Sequence, residues 1–211
     1  MSDRPKIYLA SRSPRRGELL HQIGVDFEVL PPDVDESVFP DEAPEHYVLR
    51  LARAKAEVCV RRIATDGLRD LPVLAADTTV CADGEILGKP ENDEQACAML
   101  RRISDRWHTV LTAIAVANRD RIELALSSTQ VEVAPLAEAE IAAYVASGEP
   151  FGKAGGYGIQ GLAGTFIRRI EGSYSGVMGL PIYETSQLLK NFEFSYLYDT
   201  KFYKYSNNFT K

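Results

Sequence analysis

Residues 7–24, IYLASRSPRRGELLHQIG, join a short apolar run, a polar turn and a helical pattern in direct succession. The run at 7–10 predicts a buried strand, and the leucines and isoleucine that follow predict a helix that ends at Gly24. Pro14 suits the first turn of that helix, and Ser13 before it is a favourable N-cap. A strand that leads directly into a helix is typical of an α/β fold.

The rest of the chain continues this alternation. Apolar runs predict strands at 27–31, 73–80, 108–117, 122–133 and 165–170, and helical patterns predict helices at 44–64, 92–103, 137–146 and 180–189. Asp83-Gly84 is a strong signal for a tight hairpin turn. The sequence therefore predicts an α/β protein with a mixed sheet and flanking helices.

Length and composition restrict the class of protein. The chain has 211 residues, of which 45% are hydrophobic and 26% charged, so it can bury a substantial core and is not mainly disordered. Its net charge of −6 disfavours broad attraction to nucleic acid or to an anionic membrane, and no apolar run is long enough to span a bilayer. With three cysteines and no signal-peptide pattern, we expect a reduced, cytoplasmic protein.

The turn at 11–16, SRSPRR, has the features of a phosphate-binding site. A turn that opens a helix directs free backbone N–H groups and the positive end of the helix dipole at one point. Two hydroxyl groups and three guanidinium groups crowd the same point, and arginine binds phosphate oxygens through paired N–H groups. The alternative is a capped helix start with solvated arginines, but the position of the turn favours phosphate recognition.

Asp77 interrupts the apolar run 73–80 and is the strongest candidate for chemistry. A carboxylate is costly to bury without a partner or a metal, and near the end of a strand it would face a cleft. There it could bind Mg²⁺ or deprotonate a water molecule; the alternative is an aspartate that caps a turn. Thr78 and Thr79 beside it offer hydroxyls to a substrate base or to a metal-bound water.

Other candidates are weaker when each is taken alone. Lys89, after the hairpin, and Lys55, on the inner side of a helix, could bind a polyphosphate, although a surface lysine is the commoner outcome. One of the acidic residues that follow the second strand, Asp33, Asp35 or Glu36, could complete a metal site with Asp77, although a solvated loop is the simpler interpretation. The glycine-rich loop 152–164 could let the backbone approach a ligand, with Gln160 available to read a base edge.

Together these features predict a metal-dependent enzyme that acts on a phosphorylated small molecule. Five motifs, in order, also resemble the Maf family of nucleoside triphosphate pyrophosphatases over residues 7 to about 192. They are SRSPRR at 11–16, AADTTV at 75–80, GEILGKP at 84–90, KAGGYGIQG at 153–161 and GSYSGVMGLPIYET at 172–185. The resemblance implies a homodimer in which each chain has two lobes around a central cleft, as in the inosine triphosphate pyrophosphatases.

The resemblance also implies a reaction and the residues that carry it. A nucleoside triphosphate would be hydrolysed to the monophosphate and pyrophosphate with a divalent cation, Mg²⁺ or Mn²⁺. Asp77 would accept the proton, Glu36 would assist it at the metal, and the triphosphate would be bound by Ser13, Arg15, Arg16, Lys55 and Lys89. The motifs are most similar to the branch that acts on dTTP and UTP, in which base selection would depend on Arg15, Thr78 and Gln160.

Two other functions are left open. A 7-methyl-GTP pyrophosphatase on the same scaffold is the nearest alternative among enzymes. A non-catalytic nucleotide-binding regulator is the alternative from a different class, because the resembled family is also associated with arrest of septum formation. Beyond the nucleotide, we expect no nucleic-acid or membrane partner.

The last residues differ in composition from the rest. Residues 191–211 contain eight aromatic residues, and their basic residues are all lysine, whereas the chain before residue 190 has 16 arginines and only four lysines. We therefore predict a single domain over residues 1–190. The tail at 191–211 is either an extension of foreign origin or an aromatic segment that docks on that domain.

Overall fold

A seven-stranded mixed sheet forms the centre of the computed structural model, which describes residues 6–194. Its strands are β1 (Lys6–Ala10), β2 (Asp26–Val29), β3 (Val73–Ala82), β4 (Glu85–Leu87), β5 (Trp107–Ala117), β6 (Ile122–Val133) and β7 (Ile167–Glu171). The helices are α1 (Pro14–Gln22), α2 (Pro44–Thr65), α3 (Asp93–Ile103), α4 (Glu138–Ala146), α5 (Tyr174–Met178) and α6 (Ile182–Asn191). The predicted α/β class is confirmed; only α5, too short for a periodic pattern, was not predicted.

The pairing of β3 leaves a gap on one edge of the strand. The strand order is β2-β1-β3-β5-β6-β7, with β2, β1 and β3 parallel and the others antiparallel. On one edge β3 pairs with β5 over residues 73–81. On the other edge β1 pairs only with residues 73–75 and β4 only with residues 80–82. The middle of β3, which includes Asp77, therefore has no described strand beside it on that edge.

This position differs from the one predicted for Asp77. The residue lies in the middle of a ten-residue strand, not near its end. It nevertheless borders open space, because β1 ends at Ala10 and the chain turns away there into α1. The open space beside the Asp77 carboxylate is created by the end of β1, not by the end of β3.

The core consists of three hydrophobic clusters: two lie on opposite faces of the sheet and form one lobe, and the third forms the other lobe. Helix α2 covers one face of the sheet, and α1 and α6 cover the other. The third cluster lies at the far end of β5 and β6, where α3, α4 and the glycine-rich loop pack together. No helix between residues 6 and 194 is long and apolar enough to cross a membrane.

The first residues of the predicted tail belong to the core. Helix α6 continues to Asn191, and Phe192 and Phe194 are buried against α1 and α6. The packed body therefore extends past residue 190. The remainder of the predicted tail, residues 195–211, lies outside the described residues.

Gly155 allows the glycine-rich loop to approach β3. Its φ is +67°, and a Cβ built on it would lie 2.8–2.9 Å from three side-chain atoms of Val80. We expect Gly155→Ala to lower the free energy of unfolding by about 2–4 kcal/mol, because left-handed backbone strain adds to overpacking. Gly84→Ala is the matched control, since φ there is +79° but no atom lies within 4 Å.

Urea denaturation of both variants measures the two costs. The control carries only the backbone penalty, about 1–2 kcal/mol. Equal losses in the two variants would contradict the close packing of Gly155 on Val80.

Candidate active site

The gap beside β3 opens into a cleft of about 440 Å³ between the two lobes. The middle of β3 forms its floor, and the turn at 11–16 and the glycine-rich loop line its sides. All of the predicted site residues line this cleft: Ser13, Arg15, Arg16, Glu36, Lys55, Asp77, Thr78, Lys89 and Gln160. The fold thus brings together residues from six separate segments of the chain.

The turn at 11–16 follows the carboxyl end of β1 and starts α1, so the amino end of that helix faces the cleft. Ser13 occupies the N-cap position, as predicted, but its hydroxyl makes no capping hydrogen bond. Its own backbone N–H donates to Ser11 Oγ at 3.1 Å. The Ser13 hydroxyl lines the cleft instead.

Lys55 and Asp77 form a buried ion pair at the floor of the cleft. The side chain of Lys55 extends from α2 to Asp77 on β3, and the two residues are only 6% and 7% exposed. Lys55 Nζ donates to Asp77 Oδ1 at 2.7 Å and lies 2.6 Å from Glu36 Oε1. Glu36 Oε2 in turn lies 3.5 Å from Nζ of the exposed Lys89. One ammonium group therefore holds both carboxylates.

Burial and these contacts together shift the pKa values of the two carboxyl groups in opposite directions. Burial raises the pKa of Asp77 above its usual value of 3.8, and Lys55 offsets only part of that effect. Burial acts in the same direction on Glu36, but Lys55 and Lys89 outweigh it and lower its pKa. A carboxylate with a raised pKa is the better proton acceptor, so Asp77 suits the role of general base more than Glu36 does.

The two carboxylates are also the candidate metal ligands. Within residues 6–194 no group of three or more His, Cys, Asp or Glu side chains could hold a metal ion. Mg²⁺, however, commonly binds one or two carboxylates and completes its shell with water and substrate phosphates. Asp77 and Glu36 contact the same nitrogen atom, so one cation near that position would be within reach of both. The donor set fits a cation that arrives with a phosphorylated substrate.

Arg16 joins three parts of the cleft wall. Its Nε donates to the Gly179 carbonyl at 2.8 Å, its Nη1 to Ser11 Oγ at 2.9 Å and its Nη2 to Thr78 Oγ1 at 3.3 Å. Burial lowers its pKa, although Asp77 acts in the opposite direction. These bonds hold the guanidinium group in place between α1, β3 and the end of α5.

The glycine-rich loop is held by a carboxylate that sequence reasoning missed. Glu149 accepts hydrogen bonds from Leu162 N at 2.9 Å, Ala163 N at 3.2 Å and Tyr144 Oη at 3.0 Å. Burial opposes these contacts, but together they lower its pKa. The loop presents Lys153 and Gln160 to the cleft. Lys153 was also missed, although it begins the motif at 153–161 that supplied Gln160.

Comparison with known proteins gives a consistent result over most of the chain. A family profile described as "Maf-like protein" matches residues 6–192. The chain is 66% identical over 186 residues to the dTTP/UTP pyrophosphatase of Methylobacillus flagellatus, an alignment that covers 88% of this chain and 92% of the relative. It is 53% identical over 189 residues to the dTTP/UTP pyrophosphatase of Chromobacterium violaceum, with 90% and 96% covered.

Among solved structures, the Staphylococcus aureus Ham1 protein aligns with a TM-score of 0.43 and 18% identity. That alignment covers 61% of this chain and 71% of the Ham1 chain.

We expect Lys55→Met to raise the pKa of Asp77 further, because Lys55 is the main group that opposes the effect of burial. Lys89→Met is the matched control: Lys89 contacts Glu36 but not Asp77, so its loss leaves the pKa of Asp77 unchanged. The measurement is an NMR titration of the Asp77 carboxyl carbon in the two variants and the parent protein. A fall in the pKa of Asp77 in Lys55→Met would contradict the ion-pair assignment.

Proposed function

The chain belongs to the Maf-like protein family, and we propose that it hydrolyses dTTP and UTP to the nucleoside monophosphate and pyrophosphate. The observation that carries the proposal is the buried Asp77 carboxylate at the floor of a cleft that basic side chains line. Relatives at 53–66% identity that bear this activity in their names support it. The substrate is a polyanion of three phosphates, which such a cleft suits.

We infer that the triphosphate binds between the amino end of α1 and the two lysines. Backbone N–H groups and the Ser13 hydroxyl would donate hydrogen bonds to phosphate oxygens there, and the guanidinium groups of Arg15 and Arg16 would bind further phosphate oxygens. Lys55 and Lys89 lie on the other side of the cleft, where both contact Glu36. The base would lie toward Thr78 and Gln160. Arg15 lies close to the glycine-rich loop that carries Gln160: burial lowers the pKa of Lys153 in that loop, and the charge of Arg15 lowers it further.

Asp77 is the residue proposed to take a proton from water. The water oxygen then bonds to the α-phosphorus, and the bond from that phosphorus to the oxygen bridging to the β-phosphate breaks. Pyrophosphate leaves with that bridging oxygen, and the proton on Asp77 passes to solvent. Lys55 keeps the Asp77 carboxylate oriented through the 2.7 Å hydrogen bond. No covalent intermediate is required.

The proposal includes a divalent cation, Mg²⁺ or Mn²⁺, held by Asp77 and Glu36. When bound, it would neutralise negative charge on the phosphates.

We further propose that the protein is a cytoplasmic homodimer. The association with septum formation stays a prediction from the family resemblance. Sedimentation analysis of the purified chain tests the oligomeric state.

The direct test is pyrophosphate release from dTTP, UTP, CTP, GTP and 7-methyl-GTP, each with Mg²⁺, Mn²⁺ or a chelator. We expect release that requires the cation and is fastest with dTTP and UTP. A preference for 7-methyl-GTP would retain the reaction and overturn the assigned substrate. No release from any nucleotide by a folded protein would favour the nucleotide-binding regulator.

We expect Asp77→Asn to lose roughly 10²–10⁴-fold in kcat, because the amide cannot accept the proton. Nucleotide affinity should largely remain, since the amide keeps the size of the carboxylate. Asp35→Asn is the matched control: Asp35 is exposed, accepts a hydrogen bond from Ser37 N and does not line the cleft. Hydrolysis by Asp77→Asn at the rate of Asp35→Asn would refute the role of Asp77.

A further inference from the structure

Lys153 places an ammonium group in the cleft, although it was not among the predicted site residues. The residue is half-buried and lines the cleft near the start of the glycine-rich loop. Its Nζ donates a hydrogen bond to the main-chain carbonyl oxygen of Glu149, and in the described part of the chain it has no ion pair. An ammonium group carries three N–H donors. Two of them therefore remain for an acceptor that the protein does not supply.

Gly158 gives the Lys153 side chain its position. A Cβ built on Gly158 would lie 2.8 Å from Lys153 Cε and 3.0 Å from Lys153 Cδ. Gly158 is not one of the glycines with positive φ, so its backbone alone would accept an alanine. The close approach of the lysine is what requires glycine there. Because the end of a lysine side chain is flexible, an added methyl group would displace it and leave the loop intact.

Arg15 brings a second positive charge to the cleft from the other lobe. It lies on α1, is half-buried and lines the cleft. Burial lowers the pKa of Lys153, and the charge of Arg15 lowers it further, although Glu149 acts in the opposite direction. The two cations therefore lie near enough to repel each other across the cleft.

Three other basic groups of the cleft are held by protein acceptors. Lys55 and Lys89 contact carboxylates, and Arg16 donates to three protein oxygens. Among residues 6–194, no carboxylate forms an ion pair with either Arg15 or Lys153. An anion between these two cations would replace their repulsion with two attractions.

We propose that Arg15 and Lys153 form an anion subsite that takes one phosphate group of the substrate and thereby joins the two lobes. The inference rests on the proposed function, which supplies the triphosphate. Arginine binds phosphate oxygens through paired N–H groups, and lysine binds them as a point charge with rotatable donors. Gly158 belongs to the subsite as a positioning residue, because it gives the lysine side chain room to lie against the loop.

The first test measures binding of inorganic tripolyphosphate by titration calorimetry, with Mg²⁺ present throughout. Lys153→Met removes the charge but keeps an unbranched apolar chain. We expect its Kd to be roughly tenfold to a hundredfold higher than that of the parent, because a hydrogen bond between charged groups is lost. Lys190→Met is the matched control, since Lys190 is an exposed lysine of α6 that does not line the cleft. Equal Kd values for the two variants would overturn the proposal.

The KM for UTP assigns the subsite to the substrate. We expect KM to rise in Lys153→Met by about the same factor as the Kd and kcat to change little, because this contact is present before the reacting bond breaks. Weaker binding of tripolyphosphate with an unchanged KM for UTP would contradict a subsite for the substrate phosphate.

A double variant distinguishes the position of the lysine from general damage to the loop. We expect Gly158→Ala to weaken tripolyphosphate binding in the parent, because it displaces the ammonium group. In a Lys153→Ala background the same substitution meets no lysine side chain, so it should have no further effect. A further loss of affinity in that background would show that Gly158 acts on the loop and not through Lys153. Thermal unfolding of each variant confirms that the protein is folded.

The parent protein separates this inference from the function on which it rests. A parent that binds tripolyphosphate through Lys153 but hydrolyses neither UTP nor dTTP would defeat the proposed function and leave an anion subsite in place. A parent that hydrolyses UTP, with the same KM and the same Kd for tripolyphosphate in Lys153→Met, would defeat only the subsite.

Discussion

The hydrogen-bonded ion pair between Lys55 and Asp77 is the interaction around which the cleft is organised. A carboxylate that is 7% exposed is tolerated only beside a cation, because its desolvation costs several kcal/mol. Helix α2 supplies that cation from the covering layer of the sheet, and the same ammonium group holds Glu36 on the loop that precedes α2. The Lys55 ammonium group therefore ties the sheet, helix α2 and the loop before α2 to one point. Loss of either partner would leave the other charge buried and unpaired.

The register of the sheet decides where that pair can act. Strand β1 ends opposite Ala75, and β4 joins the same edge of β3 only at Val80. Asp77 lies between these two points, and it is tolerated there because Lys55 pairs with it and because it borders the cleft. The amino end of α1 lines the same cleft. The arginine-rich turn and the buried Asp77 carboxylate thus become neighbours because β1 is short.

Hydrogen bonds between distant segments complete the arrangement. Arg16 and Gly179 lie 163 positions apart, and Thr112 and Gly176 lie 64 apart, yet both pairs form bonds shorter than 3 Å. Through them α5, a helix of only five residues, and Gly179 after it fix the orientation of groups on β5 and α1. Glu149 has the same function for the glycine-rich loop, which also lines the cleft. Each contact restricts a side chain that would otherwise have several rotamers, and so prepares the cleft for one shape of ligand.

The sequence by itself determined the elements, the alternation that makes an α/β protein, and the side chains of the cleft. These are local properties: apolar periodicity, the Asp83-Gly84 turn, and charged residues set in apolar runs. It did not reveal that Asp77 lies mid-strand, that the Ser13 N–H donates to Ser11 Oγ while the Ser13 hydroxyl caps nothing, or that Phe192 and Phe194 belong to the core. Only the tertiary structure decided these features, because each depends on which distant groups reach a buried atom first, and no local pattern records that.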